Sequence, residues 1–150
     1  MLAALAPDER YGSIDVATRP SGSRRKRRIL IVEDHEDTRT LFQEHFDRAG
    51  YVVETATNGN EAVAAALRAR PDVILLDLAM PALDGADTLT VLRSYPTTVP
   101  IPVVVCTGSA ELLKKMGVSP DAVVEKPCLP LDVERVIDGV LRPAPESSTG

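Results

Sequence analysis

Five short strand-like runs separated by helical patterns constrain this 150-residue chain more than any other feature. The runs are Ile29–Val32, Tyr51–Thr55, Asp72–Leu76, Ile101–Cys106 and Ala122–Val124, rich in Val, Ile and Leu. Strands that alternate with helices are joined by right-handed crossovers into a mostly parallel sheet, which the helices cover on both faces. Such a sheet gathers ligand-binding groups beyond the C-terminal ends of its strands.

The intervening segments carry helix signals. The first helix is expected over Glu36–Ala49, with Leu41, Phe42 and His45 on its inner face and Gly50 as its stop. A second opens at Asn58-Gly59-Asn60-Glu61, where Glu61 stands at the capping-box position for Asn58. Its Ala62, Ala65, Ala66 and Ala69 are small enough for close packing on a sheet, and Pro71 separates it from the third strand. Two further helices are expected over Gly85–Ser94 and Leu131–Leu141, with a short one, about two turns, over Ala110–Met116.

Residues 28–142 read as one folded domain, between a flexible basic segment, 1–27, and a C-terminal tail, 143–150. Seven basic and three acidic side chains give residues 1–28 a charge of +4, which leaves -9 on the rest of a chain whose total is -5. The acidic body should repel nucleic acid, so no direct DNA binding is expected. The run Arg24-Arg25-Lys26-Arg27-Arg28 reads as a solvated leader or as a contact for an anionic partner. No apolar stretch approaches the ~20 residues of a membrane span, and Leu2–Ala6 is too short for a secretory signal. Two cysteines are too few for a disulfide framework, which fits a reducing cytoplasm. Cys106 ends a buried strand, Cys128 follows Pro127, and a redox role for them is a minor alternative.

The chemistry lies at the strand ends. Glu33 and Asp34 follow the first strand, Asp77 follows the third, and Thr107 and Lys126 follow the fourth and fifth. Packed together, three carboxylates repel one another and raise at least one pKa unless a cation intervenes. A hard divalent ion suits that oxygen-rich pocket. Lys126 adds a positive charge able to pair with Asp77 or with a phosphate oxygen. His35 lies near the entrance, but a single exposed histidine is weak as a ligand signal.

With Glu33-Asp34, Asp77 followed by Met80-Pro81, Asp84-Gly85, Thr107-Gly108 and Lys126-Pro127 in this order, the chain resembles a response-regulator receiver domain over roughly Arg28–Leu141. The resemblance implies a flavodoxin-like (βα)5 fold, a three-layer α/β sandwich whose parallel five-stranded sheet has order 2-1-3-4-5. It implies a phosphoprotein of a two-component system, with Asp77 phosphorylated by a phosphohistidine donor. It also implies Mg²⁺, or Mn²⁺, held by Asp34, Asp77 and the carbonyl of Ala79, with Glu33 acting largely through water. Thr107 and Lys126 would hold phosphoryl oxygens, and the motion of Thr107 with Gly108 would be the switch. Met80 and Pro81 would shape the loop, Asp84 would cap the third helix with Gly85 at its start, and Pro127 would suit a cis bond after Lys126.

The implied partners are a sensor histidine kinase or a histidine phosphotransfer protein, and a separate downstream effector. The chain is expected to act as a monomer or weak homodimer in the cytoplasm. Too few residues follow Leu141 for an output module, so a stand-alone receiver is expected, not a conventional turnover enzyme. A phosphatase with an aspartate nucleophile is disfavoured, because Ala79 stands where its acid/base aspartate would. Three departures bear on switching: Val123 replaces the usual aromatic, Cys128 a usual phenylalanine, and the stretch from Thr107 to Lys126 is compact. They keep open an alternative, a phosphate-independent or weakly switching protein-interaction module.

Overall fold

The computed structural model describes residues 25–78, 85–108, 111–114, 117 and 119–142. Five strands and five helices alternate along them: β1 (Arg28–Val32), α1 (Glu36–Arg48), β2 (Val52–Ala56), α2 (Gly59–Ala69), β3 (Val73–Asp77), α3 (Gly85–Leu92), β4 (Val103–Thr107), α4 (Glu111–Lys114), β5 (Ala122–Glu125) and α5 (Pro130–Leu141). Every strand pairing is parallel, and the sheet order is β2-β1-β3-β4-β5. This is the flavodoxin-like order 2-1-3-4-5.

Side-chain alternation along the strands divides the interior into two layers. Leu30 and Val32, Ile74 and Leu76, and Val103 and Val105 face one core, which Ala62, Ala65 and Ala66 of α2 and Leu89 and Leu92 of α3 complete. Ile29 and Ile31, Val73 and Leu75, and Val104 and Cys106 face the other, completed by Phe42 and Phe46 of α1 and Val133 and Ile137 of α5. Each fully buried Val, Leu or Ile stabilises by about 1.5–3 kcal/mol relative to an exposed one. Two-sided burial is therefore why β1, β3 and β4 are almost wholly apolar.

The inner face of α1 differs from expectation. Phe42 and Phe46 are buried, whereas Leu41 is 52% exposed. His45 sits at the margin, where its Nε2 meets Glu134 Oε1 of α5 at 2.7 Å. A helix turns about 100° per residue, so Leu41 and Phe42 cannot both point at the sheet centre, and the larger side chain takes that place. Gly50 ends α1 with φ +98°, a conformation that favours glycine. Tyr51 then lies just outside β2, packs edge-on to Phe46 at 5.2 Å, and donates its hydroxyl to Asp138 Oδ1 at 2.9 Å.

The start of α2 also departs in detail. Asn58 Oδ1 accepts the Glu61 N–H at 2.8 Å, as a cap should. The Glu61 carboxylate, however, takes the Thr57 N–H at 2.7 Å and the Thr57 hydroxyl at 2.8 Å. The reciprocal bond has moved one residue upstream. At the opposite end of the sheet, Asp72 accepts two bonds from the Arg25 guanidinium, the shorter at 2.7 Å, and the Arg28 N–H at 2.7 Å. The last part of the basic run is thereby tied to the residue preceding β3.

Candidate functional site

The C-terminal ends of β1, β3, β4 and β5 meet at one edge of the sheet, and strand alternation decides what they present. Glu33 continues the series Ile29, Ile31; Asp77 continues Val73, Leu75; Lys126 continues Ala122, Val124. These three residues thus leave the sheet on the α1/α5 side. Thr107 continues Val103, Val105 on the α2/α3 side. Register brings the strands level: Asp77 pairs with Cys106, and Thr107 with Glu125.

Glu33 and Asp77 are each 4% exposed, and Lys126 joins them. Its Nζ lies 3.5 Å from Asp77 Oδ1 and 3.8 Å from Glu33 Oε1. Burial of the ammonium works to lower the Lys126 pKa, but attraction by Asp77 and then Glu33 outweighs it, and the net shift is upward. Glu33 is raised, first by burial and next by Asp77, against the lowering effects of the His35 N–H and Lys126. One ammonium thus only partly offsets the carboxylates around it.

Asp34 completes the acidic group. Its buried Oδ1 has no hydrogen-bond partner, an arrangement that ordinarily costs about 1–3 kcal/mol. His35 Nδ1 stands 3.7 Å from Glu33 Oε2 and equally far from Asp34 Oδ1. One ligand atom from each of Glu33, Asp34 and His35 falls within a 4.8 Å sphere of mutual distances. An unpartnered buried carboxylate oxygen beside a second carboxylate, itself close to a third, fits a hard divalent cation. His35 is 79% exposed at its side chain, so it borders the entrance.

Backbone contacts hold the edge together. Glu33 N–H donates to the Ala56 carbonyl at 3.0 Å, and Lys126 N–H donates to the Thr107 carbonyl at 2.8 Å. Thr107 is buried, at 1% exposure. The Lys126-Pro127 peptide is cis. Gly108 is exposed, and a Cβ there would meet nothing within 4 Å, so space alone does not require glycine. Gly85 opens α3. Ala79, Met80, Pro81 and Asp84 lie outside the described residues. Val123 is 39% exposed on β5, beside Val105 in register.

Arg39 was not legible as part of this edge. Its Nη1 donates to the Glu33 carbonyl at 3.1 Å and to the Asp34 carbonyl at 3.4 Å, pinning the acidic loop from the first turns of α1. Helical periodicity places residue 39 one turn beyond His35, but polar residues at such positions are ordinarily solvated. Cys106 and Cys128 also converge here, with sulfurs 3.4 Å apart.

A doubly covered parallel sheet with carboxylates, a threonine and a lysine at its C-terminal edge defines a phosphoacceptor-type α/β domain. The pattern of the response regulator receiver domain matches residues 29–138, and the chain belongs to that family. It is 35% identical over 118 residues to the alkaline phosphatase synthesis transcriptional regulatory protein PhoP of Bacillus subtilis, covering 77% of this chain and 49% of that protein. The chain thus spans about half the length of the curated relatives it matches. The chemotaxis response regulator CheY4 of Vibrio cholerae superposes with a TM-score of 0.72 at 30% identity, over 78% of this chain and 100% of that one. The receiver domain of sensor histidine kinase PA1611 from Pseudomonas aeruginosa PAO1, solved with magnesium in its active-site cleft, gives 0.69 at 26% identity, over 78% and 98%. Membership places the chain in two-component signalling as a receiver that acts chemically on itself, not as a conventional turnover enzyme. The acidic group and the magnesium-bearing relative support divalent-metal binding. Among the described residues, no helix is long and apolar enough to cross a membrane.

Proposed function

We propose that Asp77 is the phosphoacceptor, charged by a phosphohistidine on a sensor kinase or a histidine phosphotransfer protein. An Asp77 carboxylate oxygen attacks phosphorus, the P–N bond breaks with its electron pair passing to the imidazole, and an acyl phosphate results. The observation that carries this is Lys126 Nζ, 3.5 Å from Asp77 Oδ1 and 3.8 Å from Glu33 Oε1. The lysine holds the acceptor in place before transfer and a phosphoryl oxygen after it. The Thr107 hydroxyl donates to a second phosphoryl oxygen, which draws Gly108 inward and alters the surface beyond β4. Asp34 and Asp77, with the Ala79 carbonyl and with Glu33 through water, are the proposed ligands of Mg²⁺, Mn²⁺ being the substitute. The ion supplies neutralisation of phosphoryl oxygens.

The charged domain then changes its contacts with a separate effector protein, as a monomer or weak homodimer, without touching DNA directly. Its two free cysteines suit a reducing compartment, and the cytoplasm is the proposed location. A second reading rests on Val123, which is 39% exposed on β5. A valine lacks the bulk of an aromatic switch, and on this reading the phosphorylated state couples weakly to its partners.

The test is intact mass after acetyl phosphate treatment of wild type and Asp77→Asn, with Mg²⁺ and with chelator. One Mg²⁺-dependent phosphoryl adduct, lost in the variant, is expected. An adduct that survives in Asp77→Asn overturns the assignment. No adduct from acetyl phosphate or from a panel of phosphohistidine proteins favours the interaction module.

A further inference from the structure

Two thiols stand where the acceptor and the lysine loop meet. Cys106 occupies the penultimate position of β4, in register with Asp77 on one side and Val124 on the other. It is 3% exposed. Cys128 lies 22 positions later, two residues beyond Lys126, and its sulfur rests 3.4 Å from that of Cys106. Both are free.

Their surroundings differ in a way that assigns them separate roles. Cys106 sits in the core between β3 and β5 and cannot move without disrupting the sheet. Cys128 is half-buried in the loop before α5 and lines an open cavity of about 460 Å³ with Thr38, Leu41, Phe42, Lys126 and Pro127. A small oxidant therefore reaches Cys128 first. Burial, followed by the contact with Cys128, pushes the Cys106 thiol up to about 12, which disfavours it as the thiol that meets the oxidant first. A disulfide needs sulfurs at roughly 2.05 Å, so the loop has little more than an ångström to travel.

We propose that Cys106 and Cys128 are a redox-responsive dithiol that a hydroperoxide converts into an intrachain disulfide, restraining the loop that carries Lys126. The Cys128 thiolate attacks the terminal peroxide oxygen. The O–O bond breaks, the remaining oxygen leaves with a proton as water or alcohol, and Cys128 becomes a sulfenic acid. The Cys106 sulfur attacks the Cys128 sulfur, the S–O bond breaks, and hydroxide leaves with the Cys106 proton as water. The dithiol loses two electrons and the peroxide gains them. A cellular dithiol reverses the bond by exchange, and reversible disulfides of this kind are the form found in reducing compartments.

The bond ties the residue before Thr107 to the residue two after Lys126, spanning both phosphoryl-contacting groups. This part rests on the phosphoacceptor reading. Displacing a positioning group by about 1 Å can cost two orders of magnitude in rate, so uptake of phosphate at Asp77 in the oxidised protein should fall about tenfold or more, and dithiothreitol should restore it.

The experiment treats the full chain, Cys106→Ser and Cys128→Ser with graded hydrogen peroxide, and reads intact mass and linked peptides. Wild type is expected to lose two hydrogens and yield a Cys106–Cys128 peptide. Cys106→Ser should gain oxygen at Cys128, and Cys128→Ser should resist oxidation. Oxygen added to wild-type Cys128 without the cross-link, or links only between chains, overturns the pairing. Equal acetyl phosphate uptake by oxidised and reduced protein overturns the coupling. A reduced protein that takes no phosphate from acetyl phosphate or from the phosphohistidine panel instead overturns the phosphoacceptor reading. The loop restraint is then read by hydrogen exchange across residues 126–130, where unchanged exchange on oxidation overturns it.

Discussion

Asp34 and Glu33 contain the energetic tension of the site. Asp34 Oδ1 is buried without a hydrogen-bond partner, and Glu33 is raised by burial and by Asp77. A group whose folded pKa lies above its unfolded value stabilises fully below the unfolded value and loses that contribution as pH rises through the folded one. Metal-free protein should therefore lose stability as pH climbs above 4.5, the ordinary glutamate value, and saturating Mg²⁺ should flatten the loss. Urea unfolding at stepped pH, with chelator or Mg²⁺, checks both. Asp34→Ala removes a buried, unsatisfied acceptor and should raise metal-free stability by about 1 kcal/mol. The same variant should abolish the rise in thermal midpoint that Mg²⁺ gives wild type.

Elements divide into those set by burial and those set by polar anchors. In α1, Phe46 is fully buried and Leu41 is 52% exposed. Phe46→Ala should cost about 3–5 kcal/mol, and Leu41→Ala should stay within about 0.5 kcal/mol, as measured by denaturant unfolding. The segment leading into β1 depends instead on Asp72, which accepts from Arg25 and from the Arg28 N–H. Burial tends to raise the Asp72 carboxyl, but those bonds and the Arg25 charge outweigh it, and the pKa is depressed. Its contribution is present above 3.8, the ordinary value, and fades as pH falls through the folded value. Asp72→Asn should lower the thermal midpoint slightly at neutral pH, and the difference from wild type should shrink in acid.

At the scale of the whole molecule, β3 is flanked on both sides and covered on both faces, whereas β5 is an edge strand with Val123 and Glu125 exposed. Opening β5 exposes less apolar surface than opening β3. Hydrogen exchange should therefore be slowest at Ile74–Leu76 and faster at Val123–Glu125. Protection equal in both strands would mean that the sheet opens only as a unit.

The alternation of five apolar runs with helical patterns was enough to determine a parallel sheet covered on both faces, because two-sided burial leaves an almost unbroken apolar signature in β1, β3 and β4. The same runs marked where Glu33, Asp34, Asp77, Thr107 and Lys126 would emerge, since parallel strands all deliver their C-terminal ends to one edge. Strand order and the family itself came from resemblance to known motifs rather than from periodicity. What only the tertiary structure decided depends on distances across the chain. It placed Leu41 outside and Phe46 inside, because helix rotation relative to the sheet is fixed by packing. It moved the Glu61 bond to Thr57, joined Arg39 to the acidic loop and Arg25 to Asp72, and set Cys106 against Cys128. Each pairs groups whose separation in sequence carries no periodic signal, so only the folded packing could bring them together.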